Sequence, residues 1–326
     1  MNVARIERIV DGEVENIWSD SPKDTPKHLK AITVPELLRL DVAPREMVIA
    51  PFLPTQGLAM LYSKRGVGKT FIALGIAAAT AAGTKFLKWT APTRRKVLYV
   101  DGEMPLISIK QRLEDVSAGM DIGVPLDNLH IVTPDLQTHG LPDLSTVSGQ
   151  QEVEEHLDGV ELLILDNLSC LVRAVKENEG EGWLPVQDWA LGLRRRGISV
   201  LFVHHAGKAG AQRGTSRRED LLDSVVTLKH PHDYVASEGL RCIVDYEKAR
   251  GFYGDDAKAF EVRMAAGPSG EAVWTFADSE ISRDTRISEL SAIGMSVRDI
   301  AAELGIPSST VHYRLKHAQQ TRVSNV

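Results

Sequence analysis

Lys69 and Thr70 stand behind two glycines in the stretch Ser63-Lys64-Arg65-Gly66-Val67-Gly68-Lys69-Thr70. An ammonium and a hydroxyl at the end of a glycine turn are groups that hold phosphate. Backbone N–H groups surround the phosphate oxygens, the lysine reaches the β and γ phosphates, and the hydroxyl ligates Mg²⁺. The apolar run Leu58 to Tyr62 reads as a buried strand, and the Ala/Ile/Leu-rich segment Phe71 to Ala82 reads as a helix. Strand, glycine turn, Lys-Thr and helix make a P-loop, so the chain is expected to bind a nucleoside triphosphate. The phosphate-binding set is Ser63, Arg65, Gly66, Val67, Gly68, Lys69, Thr70 and Phe71. One position departs from the usual pattern: Ser63 stands where a first glycine would. Gly66 and Gly68 supply the permissive dihedrals closer to the phosphates, which makes the change tolerable.

Carboxylates follow at two strand ends. Val97 to Val100 runs into Asp101-Gly102-Glu103, and the apolar run beginning at Val160 ends in Asp166. Such positions face the crevice where open α/β sheets bind ligands. The second is a Walker-B pattern, with Asp166 expected to share the Mg²⁺ site with Thr70. Ile198 to Val203 is a further buried strand, ending in His204-His205. Lys248 and Arg250 alternate at the end of the strand that begins at Leu240, so both point to one face. Phosphoryl transfer needs a metal, a positioned water and cations for the charge building on the γ-phosphate. One crevice can gather groups of all three kinds.

The elements that must position these groups are an α/β core and two flanking segments. Residues 1–30 are polar and read as an arm, 31–280 as the core, and 281–326 as a small all-helical domain. Thr33 is a candidate N-cap, with Pro35 in the first turn and Leu37, Leu38 and Leu40 expected to lead into the core. Helical spacing marks Ile107 to Val116, and a strand is expected at Leu129 to Val132, followed by a loop to about Ser148. Trp183 to Arg196 reads as a helix with a basic last turn, stopped by Gly197. Val273 to Phe276 is expected as an edge strand. Ile287, Leu290 and Ile293 mark one late helix, Val297, Ile300, Ala301 and Leu304 a second, and Ser309 to Ala318 a third. Helix, glycine turn, helix is the helix-turn-helix layout, and Ser309, Thr310, His312, Arg314 and Lys316 would suit a DNA groove. A small bundle that packs on a neighbour or binds protein is the alternative.

Composition narrows the class. At 326 residues, 43% hydrophobic and 25% charged, the chain is an ordinary globular protein of one large and one small domain. Its net charge of −6 does not advertise nucleic acid over the whole surface, although basic patches exist locally. Two cysteines, Cys170 and Cys242, without metal-type spacing suggest a reduced cytoplasmic setting. No run approaches the about 18 apolar residues of a membrane span.

Together these motifs resemble the RecA-like ATPases, and within them the RepA-like hexameric helicases of plasmids and mobile elements, over about residues 45–265. The resemblance implies a RecA-like P-loop core with a mostly parallel sheet, ATP and Mg²⁺ as ligands, a hexameric ring, and single-stranded DNA in its channel, with duplex DNA at the tail. It casts Lys69, Glu103 and Asp166 as catalytic, with Glu103 polarising the attacking water. His205 or His204 would be the γ-phosphate sensor. Lys248 and Arg250, with Arg213 as another candidate, would reach a neighbour's site. The loops at about 170–182 and 206–218, carrying Lys176, Lys208, Arg217 and Arg218, would face the channel. Trp183 borders the first of these as its one aromatic. A rival reading is a nucleotide-gated DNA-binding regulator or loader that does not unwind; a third is a signalling ATPase whose tail binds protein.

Overall fold

The computed structural model describes residues 7–10, 13–16, 31–120, 122–173, 183–206 and 220–323. Two units are distinguished, Met1–Pro44 and Arg45–Val326. In the first, strands β1 (Glu7–Val10) and β2 (Glu13–Asn16) pair antiparallel, where the polar arm gave no strand signal. Helix α1 (Val34–Arg39) starts at Thr33 with a full capping box, in which Glu36 and Thr33 bond each other reciprocally. The leucines expected to lead into the core do not: α1 buries no residue, and Leu37, Leu38 and Leu40 are exposed. A six-residue helix is held here by its cap rather than by packing.

The second unit is built on a nine-stranded sheet. Two short pairs precede or flank it: β3 (Met47–Ile49) with β4 (Leu53–Pro54), and β6 (Lys85–Phe86) with β7 (Trp89–Thr90). Between them lie β5 (Leu58–Ser63) and helix α2 (Lys69–Ala82). Then come β8 (Val97–Asp101), α3 (Leu106–Ala118), β9 (Leu129–Val132), α4 (Val147–Glu154), β10 (Leu162–Asp166), α5 (Leu168–Leu171), α6 (Trp183–Arg195) and β11 (Ser199–His205). The chain continues through β12 (Ser224–Lys229), β13 (Leu240–Ala249), β14 (Phe260–Ala266) and β15 (Ala272–Asp278). Strands run parallel in the order β9-β8-β10-β11-β5-β12, then antiparallel through β13 and β14 to β15 at the edge.

Period-two alternation divides the core between the faces. In β10, Leu162 and Ile164 join the layer made by α2 and α3, while Leu163 and Leu165 join the layer of α4, α5 and α6. Central parallel strands covered on both sides read as continuous apolar runs, which is why β5, β8, β10 and β11 were legible. Helix α4 begins at Val147, where the stretch read as a loop ends, and like β14 it was unmarked. Trp183, at the border of the loop at 170–182, is buried in α6, edge-on to Phe202 at 5.0 Å.

Helices α7 (Ser279–Ala292), α8 (Val297–Leu304) and α9 (Ser308–Val323) enclose a small core of Ile287, Leu290, Ile300, Ala301 and Val311. Ile293, expected on that buried face, is 75% exposed because α7 ends one residue earlier. Arg286 of α7 pairs with Asp233 at 3.1 Å, and His232 hydrogen-bonds the Glu303 carbonyl, tying these helices to the sheet unit. Among the described residues no helix is long and apolar enough to cross a membrane.

Candidate nucleotide site

A cavity of about 490 Å³ opens where β5, β8, β10 and β11 end. Its floor is the P-loop: Arg65, Gly66, Gly68, Lys69, Thr70 and Phe71 all line it. Gly66 (φ 83°) and Gly68 (φ 111°) take the left-handed conformation that favours glycine. At Gly68 space adds a second reason, since a Cβ there would lie 2.8 Å from Cδ1 of Leu240. Ser63 does not have a positive φ, so its position needs no glycine. The Lys69 ammonium is folded onto the loop, donating to the Ser63 carbonyl and hydroxyl (both 3.1 Å) and the Lys64 carbonyl (3.0 Å). Burial pushes its pKa down to about 8; Asp166 and Glu103 oppose that shift, and Arg65 adds to it.

Strand register sets the carboxylates opposite this floor. Asp166 pairs with Asp101 on one side and Val203 on the other, and His205 pairs with Ser63. The Asp166 carboxylate is buried, accepting from the Tyr99 hydroxyl at 2.6 Å and from the Thr70 side chain. Burial raises its pKa, while the Tyr99 and Thr70 bonds and the Lys69 charge oppose the rise. A buried carboxylate and a hydroxyl sharing a hydrogen bond are a hard-oxygen donor set. Mg²⁺ takes one or two protein oxygens and completes its shell with water and substrate phosphates, so Thr70 and Asp166 fit it. Among the described residues no three His, Cys, Asp or Glu cluster for a metal held by protein alone.

Asp101 shapes the turn that presents Glu103. Its carboxylate accepts the Met104 N–H at 2.9 Å and the Glu103 N–H at 3.4 Å, and burial raises its pKa to about 6. Glu103 projects into the cavity with its side chain 56% exposed. Its Oε2 accepts from Asn167 Nδ2 at 2.7 Å and lies 3.7 Å from His205 Nε2. Burial first, then the Lys69 charge, lowers the His205 pKa, which keeps the imidazole neutral at pH 7. Neither ring nitrogen of His205 makes a hydrogen bond to the described residues. His204, the neighbouring candidate, is buried and does not line the cavity.

The remaining predicted residues that the structure describes lie elsewhere. Lys248 and Arg250 point to the Asp220 carbonyl at 3.4 and 3.2 Å. Through β12 the register places Ala249 level with Ala59, whereas the P-loop begins after Ser63. At ~3.3 Å per strand residue they are more than ~10 Å from their own P-loop, at the opposite end of the central strands. Lys176, Lys208, Arg213, Arg217 and Arg218 lie outside the described residues. On α9, Ser309, His312 and Lys316 are exposed and Thr310 is half-buried. Arg314, expected to face a groove, instead pairs with Asp284 of α7 at 3.0 Å and reaches Glu280 at 3.5 Å.

Residues not foreseen complete the cavity wall: Met104, Arg112, Asn167, Gly239, Leu240 and Met264. The Arg112 guanidinium covers the Phe71 ring at 4.8 Å. Only Asn167 carried a local signal, as the polar residue directly after Asp166. Leu240 and Met264 come from the antiparallel β13–β14 pair, with Gly239 directly before β13, far along the chain.

No curated protein matches the chain. Among solved structures, it is similar to a KaiC-like protein of the hyperthermophilic archaeon Pyrococcus horikoshii OT3, at 17% identity and a TM-score of 0.47, over 70% of this chain and 93% of that one. The family model described as AAA domain matches residues 23–211. With more than half of its length matched, and a P-loop facing two acidic strand ends, the chain belongs to the AAA domain family and is a P-loop ATPase.

Proposed function

We propose that this protein is a ring-forming, ATP-hydrolysing motor that acts on DNA, of the RepA-like helicase type associated with mobile elements. The observation that carries the reading is a division of the site. Lys69, Glu103, Asp166 and His205 converge on one cavity, while Lys248 and Arg250 stand at the far end of the strands. Cations placed there can serve a nucleotide only if it belongs to a neighbouring subunit.

The chemistry follows from the groups present. Lys69 leaves its loop oxygens for the β and γ phosphates. Glu103 orients a water for in-line attack on the γ-phosphorus and accepts its proton, as the bond to the β–γ bridging oxygen breaks and ADP leaves. Neutral His205 donates to a γ-phosphate oxygen. Thr70 and Asp166 would hold Mg²⁺, which when bound offsets phosphate charge.

A second reading, a nucleotide-gated regulator or loader with a DNA-binding tail, is favoured by the firm attachment of α7 and α8 to the sheet unit through Asp233 and His232. One experiment separates the two: ATP turnover with and without single-stranded DNA, beside mass determination in the presence of nucleotide. The motor reading expects a ring and turnover stimulated by the strand. A stable monomer with turnover indifferent to DNA, whose duplex binding weakens in Lys316→Glu, would favour the regulator.

A further inference from the structure

Asn167 makes two hydrogen bonds with the two ends of one amide. Its Oδ1 accepts the Cys170 N–H at 3.2 Å, capping α5, and its Nδ2 donates to Glu103 Oε2 at 2.7 Å. The cap decides which way the amide faces, because only the oxygen can accept a backbone N–H. The amide nitrogen is therefore directed at Glu103. Asn167 is buried, 3% exposed, and its position is held by the same strand ends that hold Asp166. The Gly102 N–H donates to the Asp166 carbonyl at 2.6 Å, stitching the turn that carries Glu103 to the strand that carries Asn167.

Among the described residues Glu103 has no comparable restraint of its own. Its side chain is mostly exposed, and its other polar neighbours, His205 Nε2 at 3.7 Å and Cys170 Sγ at 3.9 Å, are beyond a strong hydrogen bond. A carboxylate on a flexible stem samples several rotamers unless one oxygen is fixed. With Oε2 fixed by the Asn167 amide, Oε1 is the oxygen left to receive a water proton.

We infer that Asn167 is a positioning residue for hydrolysis: it holds the Glu103 carboxylate in the orientation from which it activates water. This rests on the role given to Glu103 above. Asn167 does not act on the phosphates in this account, so its loss should fall on kcat and leave the KM for ATP nearly unchanged. A misplacement of about 1 Å can cost on the order of 10²-fold in rate.

Two substitutions separate this role from plain helix capping. Asn167→Asp keeps an oxygen for the Cys170 N–H but has no donor for Glu103, whereas Asn167→Ala loses both. Steady-state turnover of the full chain should fall by on the order of 10²-fold in both, with KM for ATP within a few-fold of wild type. In a Glu103→Gln background, measured by single turnover with enzyme in excess, neither substitution should lower the residual rate further, because both act through the lost carboxylate. Wild-type kcat in Asn167→Asp beside an inactive Glu103→Gln would overturn this inference alone, leaving Asn167 a helix cap. An equal loss in both backgrounds would also overturn it, since the effect would then act elsewhere, such as on the metal site. Wild-type turnover by Glu103→Gln itself would overturn both this inference and the role of Glu103.

Discussion

The Lys69 ammonium rests on Ser63, bonding both its carbonyl and its hydroxyl at 3.1 Å. The residue that breaks the usual glycine pattern thus supplies two of the three loop oxygens that the Lys69 ammonium contacts. Lys69→Ala is expected to reduce ATP turnover to near background, since among the described residues no other ammonium lines the cavity. Ser63→Gly should keep turnover and shift ATP affinity by no more than about 1 kcal/mol, because one of three resting bonds is lost. A calorimetric titration of both variants checks this; a turnover-competent Lys69→Ala would contradict the phosphate-binding assignment.

The lowered Lys69 pKa, about 8, makes nucleotide affinity depend on pH. Below that value the empty site already holds the charged lysine, so binding needs no proton. Above it the lysine is neutral when empty and must gain a proton as the phosphates arrive. The Kd for ATP should therefore rise above about pH 8, approaching ten-fold per pH unit. Proton uptake, read by calorimetry in buffers of different ionisation enthalpy, should be larger at pH 9 than at pH 7. Lys69→Arg, whose guanidinium stays charged, should flatten the profile even if it binds less well.

Glu103→Gln should bind ATP with near wild-type affinity and hydrolyse it at least about 10²-fold more slowly, because the amide keeps the shape but cannot take the proton. Asp101 is less suited to act as the base, because both its oxygens accept backbone N–H groups of its own turn. Asp101→Asn is expected to lower thermal stability as well as turnover, by disturbing the turn that presents Glu103. Activity in Glu103→Gln together with a stable, inactive Asp101→Asn would reverse the two assignments.

If Arg250 acts across a subunit boundary, Arg250→Ala should bind ATP yet fail to hydrolyse it, and Lys69→Ala should fail to bind. Mixing the two inactive variants would create interfaces where an intact P-loop meets an intact arginine, and partial turnover should return. An arginine supplied in trans can contribute about 10³ to 10⁵ in rate, so recovery should be easy to detect. Mixed oligomers without recovery would argue against the trans role, and concentration-independent turnover by a monomer would end the ring reading.

Arg241 offers a test of stability away from the chemistry. It is buried and bonds Glu261 at 2.8 Å, Asp233 at 3.1 Å and Glu238 at 3.1 Å. Asp233 and Glu261 are themselves buried, and Arg241→Ala would leave each with a single arginine, Arg286 for Asp233 and Arg263 for Glu261. Urea unfolding should show a loss of about 1.5–3 kcal/mol, the scale of lost hydrogen bonds to charged groups. The same variant should loosen α7, whose Arg286 shares Asp233, visible as faster amide exchange in 279–292.

The sequence by itself determined the local chemistry: where the P-loop lies, which central strands end in acid or histidine, and where most helices start and stop. These signals are short-range. A doubly covered strand is an uninterrupted apolar run, as in Leu162–Asp166, and a cap such as Thr33 with Glu36 is complete within four residues. Only the tertiary structure decided which of those groups meet. Strand pairing put His205, rather than His204, into the cavity with Glu103, because successive side chains on a strand face opposite ways. It brought Leu240 and Met264 to the P-loop from distant strands, sent Lys248 and Arg250 to the opposite end, and buried Trp183. Position in the chain carries no information about such neighbours, since register across a sheet is set by what both faces must bury at once.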